Sequence, residues 1–345
     1  MPTWNQLKAL ANKTKRPLAA FYLPSPPEVP KRPRDFRTYP GAVFGQFSPK
    51  LLQLIREARS LRTQALELLD AADEPPEFPQ LPVFRIRDNA AECAETIRGF
   101  LGVTVEEQVG WEDGYTALNA WREILFGKGV FVVQLPIKGE EARGFSENYD
   151  RLNLIAVSSH EDNPCPRIFT IFHELCHLCL RWAGVSDRRS YVEDRGHHAT
   201  IERFCDRVAG AFLVPLDNET VREHLERIVA SGQVDMAELR KASNRLKASQ
   251  SAILYRMVEG HLIGDTEYHD ILECWKSRPL RPRRSILVPV PRRRLGSVGR
   301  PYASIVLNAL DVGRISTHEA CNLLGIKPRW LESMRTETYA GVAYA

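Results

Sequence analysis

Two histidines four residues apart, His173 and His177, lie inside the apolar run 168–180, with Glu174 directly after the first. On an α-helix such a pair shares one face, so both imidazoles reach a single ion while Glu174, a fraction of a turn away, addresses water activated by that ion. The pattern predicts a Zn2+ site and metal-assisted hydrolysis, of a peptide bond first of all. The surroundings predict the helix. Asn163 suits an N-cap, Pro164 the first helical position and Gly184 the end, while Ile168, Phe172, Leu175, Cys179 and Trp182 recur at helical spacing beside the histidines. The alternative is an amphipathic core helix whose two histidines are satisfied by hydrogen bonds alone.

A hydrolytic zinc site takes three protein ligands and keeps one position open, so a third donor is expected downstream. An extension of the motif by Gly and His at positions 180 and 183 is excluded, because the chain has Leu180 and Ala183 there. Residues 201–215 predict a second helix with Phe204, Val208, Ala211 and Phe212 as its apolar stripe and Glu202 and Asp206, four apart, on one face. Glu202 is the candidate third ligand, and Asp206 is placed to orient a ligating imidazole. Both carboxylates can equally be read as solvated groups near a helix start, and Asp187, Glu193, Asp194, His197 and His198 are other donors in reach. Tyr191, His197 and His198 are candidates for stabilising a developing oxyanion.

The stretch Arg167–His177, then Glu202-x-x-Cys205-Asp206 and Leu213-Val214-Pro215, resembles the ImmA/IrrE-type metallopeptidases, and the resemblance reaches upstream through Ala120-Trp121-Arg122 and Arg143-Gly144-Phe145-Ser146. It implies a zincin-like, gluzincin-type α+β fold, zinc on His173, His177 and Glu202, and Glu174 as catalytic base. It also implies a helix-turn-helix transcriptional repressor as the protein substrate, or fusion to such a module. Two positions depart from the family pattern: Cys176 stands where Gly is usual and Asp206 where Asn is commoner. Residues 2–24 look like the last helices of a Cro/repressor-type domain without its recognition helix.

With 345 residues, 43% of them hydrophobic, the chain is long enough for one sizeable core with small helical appendages. It has neither an apolar run that spans a membrane nor a secretory leader pattern, and its seven scattered cysteines suit reduced thiols in the cytoplasm. Cys176-x-x-Cys179 lies within a helix and has no second such pair, which favours buried small apolar groups over a redox or second metal site. The formal charge of +4 is uneven. Residues 276–300 carry nine basic residues and no acid, leaving 38 basic against 43 acidic residues, a net −5, for the rest. Pro279, Pro282, Pro289 and Pro291 make that run read as an extended connector, with Arg281, Arg283, Arg284, Arg292, Arg293 and Arg294 as candidate nucleic-acid contacts, or as a solvated linker.

The parts predict an α+β fold in which a small sheet flanks the histidine helix, divided into five regions. Residues 1–40 hold the helix-turn-helix-like remnant and a Pro-rich linker, and 41–225 the zincin-like metallopeptidase domain. A helix-turn-helix-like extension follows at 226–275, the basic connector at 276–300 and a helical region at 301–345. Helices are expected over 49–72, 89–101 and 115–126, and strands near 130–135 and 152–157, either of which is a candidate to pair with an extended substrate. The competing function is a DNA- or partner-binding regulator, antitoxin-like or a phage-defence component, with a structural or vestigial zinc site.

Overall fold

Residues 130–135 and 153–158 are apolar without the polar alternation of a half-exposed strand, which calls for a sheet covered on both faces. The computed structural model describes residues 2–25, 35–36, 48–138, 142–161, 163–181, 195–276 and 288–340, with the backbone alone at 35–36, 195–198 and 276. In chain order it contains α1 (Trp4–Thr14), β1 (Asp35–Phe36), α2 (Pro49–Asp70), α3 (Ala90–Leu101), α4 (Val105–Gly110), α5 (Gly114–Gly127), β2 (Val130–Leu135), β3 (Gly144–Glu147) and β4 (Asn153–Ser158). The helices α6 (Pro164–Cys179), α7 (Arg195–Leu213), α8 (Glu219–Val229), α9 (Met236–Leu246), α10 (Gln250–Glu259) and α11 (Asp265–Lys276) follow. The last four are α12 (Val290–Val298), α13 (Arg300–Asp311), α14 (Thr317–Leu324) and α15 (Leu331–Tyr339). The fold is mixed α+β, as expected.

The sheet order is β1-β3-β4-β2, with β4 parallel to β2 and antiparallel to β3. Side chains alternate between two cores. Val130, Val132, Ile155 and Val157 join α3, α5, α6 and α7 on one face. Phe131, Val133, Leu135, Leu154 and Ala156 join α2, α12, α13 and α14 on the other. Two cores back to back therefore replace the single core with appendages. The helices after residue 290 cover apolar strand residues, with the Tyr302 ring stacked on Phe131 at 5.8 Å. A fully buried aromatic side chain is worth about 1.5–3 kcal/mol.

Three expectations change. Residues 290–298 are helical, not part of an extended connector, because Pro289 leads into the helix and Pro291 occupies its first turn, where a missing N–H costs nothing. Residues 2–25 form one α-helix and a single 3₁₀ turn at Leu18–Phe21, not a set of repressor-type helices. Neither strand proposed to meet substrate is placed to do so. The central strand β4 has neighbours on both sides, and on β2 the outward carbonyls of Val132 and Gln134 accept from Arg122 and Ser297. Among the described residues, no helix is long and apolar enough to cross a membrane.

Arg122 joins the two halves. Its buried guanidinium donates to Val132 O on β2 and to Gly296 O and Ser297 O at the end of α12, satisfying carbonyls that a helix terminus leaves open. Burial pulls its pKa down to about 10, which leaves it charged at neutral pH. Gly299, at φ +88°, permits this approach, since a Cβ there would stand 2.8 Å from Arg122 Nη2. Arg122→Met should lower the unfolding free energy by about 2–3 kcal/mol through the carbonyls left unpaired, as measured by urea denaturation.

Candidate metal centre

The α6 helix is buried on nearly every side, more than the one-sided stripe in its sequence predicts, because the sheet, α5 and α7 all pack on it. Asn163 caps it, Oδ1 accepting from the Cys165 N–H at 2.9 Å, and Pro164 fills the first turn. It ends at Cys179; Trp182 and Gly184 lie outside the described residues. Its partner α7 buries Phe204, Val208, Ala211 and Phe212. The two helices are locked by the Phe172 and Phe212 rings, stacked at 3.9 Å, with Trp121 edge-on to both at 4.9 and 5.3 Å.

This packing brings three donor atoms together. His177 Nε2 lies 3.1 Å from His173 Nε2. Glu202 places one carboxylate oxygen 3.2 Å from His173 Nε2 and the other 3.3 Å from His177 Nε2. His173 Nδ1 stands 2.9 Å from Asp206 Oδ1. A carboxylate only accepts, so Nδ1 carries the proton and, in the neutral ring, Nε2 presents a bare lone pair to the other two donors. Donors about 2.0–2.1 Å from one tetrahedral ion lie about 3.3 Å from each other, which is the spacing found. His173, His177 and Glu202 thus form a group that can hold a metal ion.

The three carboxylates differ in setting. Burial works to raise the Glu202 pKa, but hydrogen bonds and charge from the two imidazoles, when these are protonated, outweigh it and hold the carboxyl well below the usual range. Asp206 is about 39% exposed. Glu174 is fully buried, and desolvation raises its pKa against the pull of His177, His173 and Ser146. Its Oε2 accepts from Ser146 Oγ at 2.8 Å, while Oε1 has no hydrogen-bond partner among the described residues.

Residues 127–258 match the profile of the peptidase M78 family, described as the IrrE N-terminal-like domain. This stretch of the chain is similar to that domain. No curated protein matches the chain. The matched stretch contains the whole donor set, and the family it resembles consists of peptidases that are typically metal-dependent.

Of the other sequence candidates, Tyr191, Asp187, Glu193, Asp194, Arg281, Arg283 and Arg284 lie outside the described residues, as do the side chains of His197 and His198. Arg294 is engaged within the fold, donating to Leu324 O and pairing with Glu57. Arg292 pairs with Glu337, and Arg293 is exposed. Cys176 and Cys179 are fully buried free thiols, and burial drives the Cys179 pKa well above its ordinary value. Gly144 and Ser146 of β3 face Glu174, a neighbourhood that sequence patterning missed because a four-residue Gly-Phe-Ser-Glu strand carries no measurable period.

A divalent ion should raise the melting temperature of the metal-free protein. At a hundredfold excess over Kd the gain is about 2.7 kcal/mol. Glu202→Ala should abolish the shift in differential scanning fluorimetry, and Asp206→Asn should weaken metal affinity about 10–100-fold.

Proposed function

We propose that the chain is a zinc-dependent endopeptidase that cuts a helix-turn-helix transcriptional repressor or a similar regulatory partner. The observation that carries this reading is the convergence of His173, His177 and Glu202 beside a second glutamate, Glu174, that is not one of the three donors and whose Oε1 has no hydrogen-bond partner among the described residues. Zinc, when bound there, supplies Lewis acidity toward water and the peptide carbonyl.

The chain's own groups do the rest. Asp206 fixes the His173 tautomer so that its lone pair faces the donor set. Glu174 Oε1 accepts the proton of the attacking water and returns it to the leaving amine. A carboxyl with a raised pKa suits both halves of that exchange, since it neither holds the proton too weakly nor refuses to release it. Against a purely structural metal site stands Glu174 itself, which such a site does not use. The repressor as substrate comes from the family resemblance, and the cytoplasm as its location is supported by seven free thiols.

The test is incubation of the zinc-loaded protein with repressors encoded beside its gene, followed by mass spectrometry of the products. Wild type should give one discrete cut. Glu174→Gln should bind zinc as wild type does and cleave at least about 100-fold more slowly. Equal rates for the two proteins would remove Glu174 from the base role.

A further inference from the structure

We propose that Ser146 is a positioning residue for the base, holding one oxygen of Glu174 so that the other is the oxygen that receives the proton; this rests on the peptidase reading above. Ser146 Oγ donates to Glu174 Oε2 at 2.8 Å, and both residues are buried, at 5% and 0% exposure. Without that bond, neither carboxylate oxygen would have a hydrogen-bond partner among the described residues. A carboxylate free to rotate about its last torsion would exchange Oε1 and Oε2 and spread its basic lone pairs over several directions. The serine removes that freedom on one side only.

The local backbone is arranged for the contact. Gly144 and Ser146 are two apart on β3 and point to the same face, toward α6. A Cβ on Gly144 would lie 2.8 Å from Thr170 Cγ2, 2.9 Å from Ala156 O and 3.3 Å from Glu174 Oε1. The glycine therefore lets β3 approach the helix closely, and the serine uses that approach to reach the carboxylate. Among the described residues the Ser146 hydroxyl bonds to Glu174 and to none of the three metal-binding side chains, so its effect passes through Glu174.

The positioning is read without any peptide substrate. Acetohydroxamate chelates a metal ion through two oxygens and places a hydroxyl proton where a neighbouring carboxylate accepts it. Its affinity for the zinc-loaded full chain reports the placement of Glu174, and zinc affinity by chelator competition reports the ligands. Ser146→Ala should weaken acetohydroxamate about tenfold with zinc affinity unchanged, the loss expected for one misplaced charge-assisted hydrogen bond. Glu174→Ala should weaken it at least as much, and adding Ser146→Ala to that variant should cost nothing further.

Additive losses in the double variant would make Ser146 a structural residue acting independently of Glu174, and would overturn the proposal. So would wild-type hydroxamate affinity in Ser146→Ala, or loss of zinc by that variant, while a weakened Glu174→Ala leaves the peptidase reading standing. Failure of the wild type to bind zinc or hydroxamate would overturn both.

Discussion

Two imidazole nitrogens and a carboxylate brought into contacts of 3.1–3.3 Å by two buried helices repel one another, when the nitrogens present their lone pairs, unless a positive charge stands among them. Everything else at this site follows from that constraint. Protons and a divalent ion each relieve it, so the two compete for the same lone pairs. The helices cannot relieve it by moving apart. The Phe172–Phe212 stack and the Trp121 ring wedged against both hold α6 on α7 one face away from the donors, and separating them would open a cavity at a cost of about 3–5 kcal/mol for one large aromatic contact.

That packing depends on residues far outside the stretch that matches the family. The sheet supports α6 on one face, and its other face would be bare without α2 and α12–α15. A polar relay crosses the same junction. Arg167, in the first turn of α6, donates to Gln134 Oε1, whose amide donates in turn to Gly296 O at the end of α12. Ser297 Oγ then returns to Gln134 O. The chain after residue 290 is tied by hydrogen bonds to the first turn of the helix that carries both histidines.

How much of this was legible depends on the range of the interaction that decides it. The i, i+4 spacing of His173 and His177, the Asn163-Pro164 start and the two long apolar strands are local, and local physics places them within a residue or so. The third donor was not legible in the same way: several acids and histidines between 187 and 206 had the right chemistry, and it is the packing of α7 on α6 that brings Glu202 to both rings. Strand order was not legible at all. Which strand lies at an edge follows from long-range pairing, so β4 and β2 looked available when one is internal and the other is capped by side chains. The basic run misled for a different reason. Proline reads as a breaker, yet at a helix start it is favoured, and the arginines that suggested phosphate binding include one, Arg294, that pairs with Glu57 and closes α14 at Leu324 O.

Three carboxylates surround two imidazoles, and their environments separate their chemistry. Glu202 is pinned between both rings and kept ionised by them, as a ligand must be. Asp206 is partly solvated and addresses only the far nitrogen of His173, where its charge sets a tautomer without competing for the centre. Glu174 is the most deeply buried of the three, and its pKa is driven upward because burial costs it more than its neighbours return. An acceptor whose proton affinity is raised, and whose second oxygen is held by a neutral hydroxyl instead of a cation, keeps its basicity in a way that a salt-bridged carboxylate does not. One aspartate and two glutamates on two helices are thereby divided among orientation, ligation and proton transfer by burial and partner alone, which is the physical basis for assigning Glu174 to the water.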